Sequence, residues 1–434
     1  MRTGNLPAVR YTQRRAMGDR VSVGTTKPAL IEQGHWLTIR DCKRVLVVVH
    51  TVTFAQRLRE VFELLETDLR IQLLFTIAPH AFGNGVTEFL RGLGITTVPW
   101  EEALRAEFDL AIAAGSRGVH ELRTPVVRIS HGAGQIKLLT DVTALAPGER
   151  RSPGMLSRQH LLHQGRLVPA AVVYAHNRDV EELARSCPEA LCVAHVVGDP
   201  CVDRIRAGRP GRESYRRALG IEDGQRLVVV TSTWGPASTF GRLDSLLPQL
   251  LSQLPGREYR VAMLVHPNVF AGHGIRQVRG WLSSCRRQGI AVVPPEADWQ
   301  ALLIAADWVL GDHGSLTAYG TLTDATMVLI AGARPEVSAY SPASLLAAVA
   351  PVVSPAYPLA EQLQYAAQLH GPGQYDHVAA SLSSAPGQFH RLMRSVLYRM
   401  LGLGEPARPP FVAPPPLPPL LTSWETPAGS GAAL

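Results

Sequence analysis

A chain of 434 residues, 46% of them hydrophobic, can bury the cores of two or three domains of ordinary size. Its net charge of +7 is local: residues 1–44 carry nine Lys/Arg against three acids, the remainder is close to neutral, and a nucleic-acid-binding body is excluded. No apolar run approaches the roughly 18 residues of a membrane span, the N-terminus lacks the apolar stretch of a signal peptide, and five cysteines without Cys-x-x-Cys spacing offer neither a disulfide frame nor a zinc site. A reducing cytoplasmic location is expected.

The basic arm, residues 1–43, reads as a disordered leader; peripheral contact with an anionic membrane, at its inner face, is the alternative use of its charge. From Arg44 onward strand and helix patterns alternate. RVLVVVH (44–50) is a short β-rich run. TFAQRLREVFELLE (53–66) follows, with Phe54, Leu58, Val61, Phe62 and Leu65 on one helical face and Thr53 and Gln56 at capping-box spacing. Further strands are predicted within 71–77, 95–100, 108–114, 125–130, 170–175 and 191–197. They are continuous apolar runs, as strands buried on both faces of a parallel sheet should be. The pattern then restarts. RLVVVTST (226–233) precedes a helix near 242–254, and YRVAMLVHP (259–267) precedes one near 275–288. IAVVPP (290–295), WQALLIAA (299–306), DWVLGD (307–312) and MVLIAG (327–332) complete a second βα series.

Two such series predict an α/β protein of two Rossmann-like domains facing a cleft, each a parallel sheet with helices on both faces. The expected division is 44–200 and 201–385, with the boundary near Gly198–Gly211. A helix at 386–403 follows, then a tail, 404–434, whose proline density allows no core of its own; it is expected to be disordered, with a proline-binding partner as an alternative role.

In open parallel sheets, ligands lie beyond the carboxyl ends of the strands. The polar residues at those places are His50 with Thr51 and Thr53, Pro79-His80, Ser130-His131-Gly132, Thr231 to Trp234, His266-Pro267, and Asp312-His313-Gly314-Ser315. Histidines recur among them, where a single one would read as structural. Gly311 and Gly314 suit a tight turn close to a ligand, Ser315 suits a helix cap, and the amides of that helix suit a diphosphate. Asp312 would orient the loop or accept from a ligand hydroxyl.

Five motifs in order resemble the CDP-glycerol glycerophosphotransferase family of teichoic-acid polymerases, over roughly residues 45–335. ISHGAGQIK (129–137) is similar to the family's WHGTPLK, VGDPCVDRI (197–205) to GxPRND, and VVVTSTW (228–234) to LYAPTW. MLVHP (263–267) is similar to LRxHP, and ADWVLGDHGSLTAYGTLTDATMVLI (306–330) to ADxLITDYSSxxFDFxxLDKPVLF. There are departures. Ser130 stands for the family's Trp, Lys137 comes one residue late, and Val202 replaces Asn, leaving Asp203. Asp-His-Gly-Ser replaces Asp-Tyr-Ser-Ser, and Tyr319 takes the place of the second acid.

The resemblance implies a GT-B fold and a cell-envelope transferase. It implies His131 as general base and His266 as the group that stabilises charge on the phosphate. It also implies a donor site of Asp312, His313, Gly314, Ser315 and Thr317 with Thr233 and Trp234; His50, Gly132 and Asp203 are further cleft candidates. No cofactor and no metal are expected. The expected partners are a CDP- or UDP-linked donor and an acceptor with a free hydroxyl, and no nucleic acid. Glycerophosphate-type transfer is the first reading. A nucleotide-sugar glycosyltransferase or UDP-sugar epimerase is the second, the epimerase wanting carboxylates that the sequence does not single out. A non-catalytic binding module is the third.

Overall fold

The computed structural model describes residue 39, residues 41–139 and residues 151–425, all within one compact unit, Ile39–Leu434. Most of the basic leader and the last nine residues of the tail lie outside the described residues. Lys43, assigned to the leader, already belongs to the first strand, where its ammonium pairs with Asp109 at 2.8 Å.

The first sheet is built from β1 (Lys43–Val49), β2 (Ile71–Ile77), β3 (Thr97–Val98), β4 (Leu110–Ala113) and β5 (Val126–Ile129). A small antiparallel hairpin, β6 (Leu162–His163) and β7 (Arg166–Leu167), interrupts the series before β8 (Ala171–Tyr174) and β9 (Ala194–Val196) complete it. Its order is β3-β2-β1-β4-β5-β8-β9, parallel throughout. The second sheet comprises β10 (Arg226–Ser232), β11 (Tyr259–Val265), β12 (Ile290–Val293), β13 (Trp308–Gly311) and β14 (Thr326–Leu329). Its order is β12-β11-β10-β13-β14, again parallel. The apolar runs are buried without alternation, five residues in a row from Val45 to Val49 and all four of β4, β5 and β8. Each sheet winds outward in both directions from its first strand. That leaves a crevice between β1 and β4 in one and between β10 and β13 in the other.

The helix Val52–Phe62 buries Leu58, Val61 and Phe62 on the first sheet, as its periodicity predicts. Its cap is Thr51, whose hydroxyl accepts from Phe54 N, and not Thr53. The last long helix, Phe389–Leu401, returns from the far end of the chain to cover the same face with Phe389, Met393, Leu397 and Tyr398. Asp203 fastens its start, accepting from Gly387 N and Phe389 N at 2.5 and 2.9 Å. Asp203 is therefore a structural anchor and does not line the cleft for which it was a candidate.

The proline-rich tail is also corrected, as far as residue 425. It is an ordered strap across the second lobe. Pro415 is buried and its carbonyl accepts from Tyr215 Oη at 2.7 Å; Leu421 is fully buried in the core, and Glu425 pairs with Arg260. An extended prolyl chain needs no core of its own when an existing one has room for every third or fourth side chain. Among the described residues no helix is long and apolar enough to cross a membrane.

Candidate functional site

The carboxyl ends of both sheets open on one cleft of about 570 Å³. The first lobe contributes the helix Val52–Phe62 and the loop that follows β5. The second contributes the loops after β10, β11, β12 and β13. His131, Gly132, Thr233, Trp234, His266, Asp312, His313, Gly314, Ser315 and Thr317 all line it; His50 does not. The lobes touch where the loops meet. A Cβ placed on Gly132, whose φ is +78°, would lie 2.4 Å from Ser315 Oγ. Only glycine fits that backbone and that approach together.

Asp312 holds the second lobe's crevice together. Its carboxylate accepts from Thr233 N at 2.9 Å, Thr239 N at 2.8 Å and Gly314 N at 2.9 Å, tying the loop after β13 to the loop after β10. It is buried and its carboxylate is engaged with backbone amides, which makes it the residue that orients the two loops. The helix Ser315–Gly320 begins with Gly314 as its N-cap and has no side-chain cap. Ser315 thus sits one residue inside the helix, with its hydroxyl turned to Gly132. Gly311 is required for space and not for its backbone angle: a Cβ there would meet Thr231 Oγ1 at 2.0 Å and Thr317 Oγ1 at 2.5 Å. Those two hydroxyls bond to each other at 2.8 Å, so Thr317 is a packing residue at the cleft floor.

The histidines divide by environment. His131 stacks obliquely on Phe54, ring centroids 4.3 Å apart, and its Nδ1 is buried with no hydrogen-bond partner. Burial, with Arg57, Arg128 and His80 adding repulsion, lowers its pKa from 6.5 to about 4. His266 caps the helix Pro267–His273, its Nδ1 accepting from Asn268 N at 3.0 Å. The neutral ring therefore carries its proton on Nε2 and is a donor there. Burial, then Lys137 and His131, lower its pKa to about 3. His313 is half-buried on the rim, and burial lowers its pKa as well. His50 is fully buried, donates Nε2–H to Arg117 O at 2.8 Å, and has Gly115 packed against its Nδ1, which is structural work.

Three features of the site are not among the candidate site residues read from the sequence, although Lys137 and Tyr319 occupy noted motif positions. Arg57 Nη2 lies 3.0 Å from Asp199 Oδ2 and donates to Tyr319 Oη at 3.0 Å; Tyr319 Oη also lies 2.8 Å from the same carboxylate oxygen. All three groups are buried, and they come from the first lobe, the connection and the second lobe. Arg57 also donates to Gly132 O at 3.3 Å. Burial opposes the Arg57 charge, but Asp199 and Tyr319 outweigh it and raise its pKa. The Asp-Pro step at 199–200 is a helix-start signal, and Asp199 does cap the helix Pro200–Gly208; nothing local marks Arg57. The second feature is Arg204, which bridges Glu60 and Asp298 at the cleft wall. The third is Lys137, whose ammonium lies over the Trp234 ring. Among the described residues, no three His, Cys, Asp or Glu side chains gather as a metal site.

No sequence-family model matches the chain, and no curated protein resembles it in sequence. Solved structures do resemble it. The wall teichoic acid polymerase TagF superposes with a TM-score of 0.55 at 12% identity, over 84% of this chain and 90% of that one. The fold is GT-B. MnaA of S. aureus in complex with UDP gives 0.52 at 11% identity, over 85% and 100% of the two chains. The UDP-GlcNAc 2-epimerase of Methanocaldococcus jannaschii, with UDP-GlcNAc and UDP, gives 0.52 at 12% identity, over 82% and 99%. The GT-B arrangement of two facing parallel sheets is the one that the motif order implied.

Proposed function

We propose that the cleft binds a nucleoside-diphosphate-linked donor and transfers a polyol-phosphate group, of glycerophosphate type, from it to an acceptor hydroxyl. One observation carries this reading: His131 and His266 reach the same cleft from opposite lobes in complementary states. His131 is neutral with a buried, unpartnered ring nitrogen, and His266 is neutral with Nε2–H available to donate. The acceptor oxygen would attack phosphorus while His131 takes its proton. The bond to the bridging oxygen of the diphosphate breaks, and a nucleoside monophosphate leaves. His266 would donate to an oxygen that gains charge in that step. With its pKa lowered to about 4 by burial, His131 is a weaker base than the task suits; a bound diphosphate favours its charged form and would raise its pKa. The first lobe, 44–200, would be the acceptor side and the second, 201–385, the donor side. The description of TagF as a wall teichoic acid polymerase and of MnaA with UDP supports this class of donor.

The nucleotide-sugar reading has one observation in its favour. Glu296 and Asp298 line the cleft, and these are carboxylates of the kind that an epimerase needs. A thermal-shift screen with CDP, UDP, CDP-glycerol and UDP-sugars, followed by product analysis, separates the readings. Stabilisation by CDP-glycerol and release of CMP are expected. Conversion of a UDP-sugar would favour the second reading, and no shift with any of the four would sink both.

A further inference from the structure

Four cationic side chains line the cleft: Arg57, Arg59, Lys137 and Arg204. Three are already neutralised, Arg57 by Asp199, Arg59 by Glu63, and Arg204 by Glu60 and Asp298. Lys137 makes no ion pair among the described residues. Its ammonium rests 4.1 Å from the centroid of the Trp234 ring and donates to Trp234 O at 3.1 Å. None of its three protons meets a carboxylate, in a half-buried place: one goes to a neutral carbonyl and the others have the indole face or no partner.

The backbone beneath Lys137 is held firmly. After His131 the chain crosses to the second lobe and pairs with it there. Lys137 bridges Val337 in antiparallel fashion, Leu138 N donates to Glu336 O at 3.0 Å, and Ser338 N donates to Ile136 O at 2.8 Å. A fixed backbone, a long flexible side chain and an exposed indole that holds the ammonium only loosely make a cation that can turn towards an anion. The groups around it agree. Burial lowers the Lys137 pKa, with Asp312 and Glu336 pulling the other way, and Lys137 itself disfavours charge on His266 and His313. Asp312 and Glu336 favour the charged form of Lys137 from a distance, but neither carboxylate is paired with its ammonium.

We propose that Lys137 is the diphosphate-binding cation of this cleft, leaving Trp234 to neutralise the donor's phosphates between the lobes. The inference rests on the nucleotide-donor reading and names the residue that reads the charge. As a lobe-crossing residue it would also link donor binding to the loop that carries His131.

The test is calorimetry with CDP, UDP, cytidine, uridine and inorganic pyrophosphate, on the parent chain, Lys137→Met and Lys137→Arg. Unchanged melting temperatures establish that the variants fold. Lys137→Met should bind CDP, UDP and pyrophosphate about tenfold or more weaker, the usual scale for losing a charge-assisted hydrogen bond. Cytidine and uridine binding should not change, and Lys137→Arg should recover most of the loss. If the parent binds CDP or UDP and Lys137→Met binds them equally well, the inference is overturned and the donor reading stands. An equal loss for nucleosides and diphosphates also overturns it, since Lys137 would then shape the cleft and not read phosphate. If the parent binds none of these, both the inference and the donor reading fall.

Discussion

Three histidines in this protein stay uncharged at neutral pH because of where they sit. For His50 and His131 the pKa falls to about 4, and for His266 to about 3, with burial the largest cause each time. The native state therefore binds fewer protons than the unfolded chain between about pH 6.5 and 4. In that window stability falls as pH falls. Fully buried His50 alone contributes on the order of 2 kcal/mol of that loss by about pH 5. Urea midpoints measured from about pH 7 down to 5 should decline, and His50→Gln should flatten the slope. A flat parent profile would contradict the burial argument. At His131 the expectation is chemical: His131→Asn should lose transfer by at least about a hundredfold, the contribution of a general base, while donor affinity changes little. Equal activity would remove His131 from the mechanism.

At the scale of elements, the strap at the C-terminus and the loop after β13 carry the lesson. Proline density in the tail reads as disorder, because the segment cannot fold upon itself. Packed against the second lobe it has only to place Pro415 and Leu421. Leu421→Ala should cost about 2–4 kcal/mol, a core value, and chemical denaturation will show it. A cost below about 0.5 kcal/mol would mean that the strap is adventitious. The loop after β13 was legible in outline, since Gly-Asp-His-Gly-Ser between a strand and a helix announces a turn. Asp312 as the orienting residue was among the sequence's readings, whereas the expected cap by Ser315 is not made. Asp312 takes three backbone N–H groups from two loops that lie far apart in sequence, and Ser315 takes none.

For the whole molecule, the junction of Arg57, Asp199 and Tyr319 is a buried polar link between lobes, beside the Arg204 bridge. Removing one partner of a buried ion pair strands the other charge. Arg57→Met should therefore cost about 3–5 kcal/mol, and Tyr319→Phe about 1–2 kcal/mol, since Asp199 keeps its arginine. Arg57→Met should also raise the His131 pKa in an NMR titration, because it removes a neighbouring positive charge. The reverse order of the two stability losses would move the weight of the junction from charge to packing.

The sequence by itself determined the strands and their kind. Unbroken apolar runs such as Val45–Val49 can only be satisfied between two layers of helix, so parallel sheets and a two-lobed α/β body were legible, and strand ends marked His131, His266 and Asp312 as neighbours of a cleft. Tertiary structure alone decided which polar residues were free to act. His50 and His131 both follow buried strands, yet one ring is closed off by Gly115 and the other faces the opposing lobe. Asp203 and Asp199 stand four residues apart in one turn of chain; one fastens the last helix, and the other joins the lobes. Local pattern records whether a residue is buried. Its partner is set by a distant segment, as far off as Tyr319 is from Arg57, and no periodicity reaches across that separation.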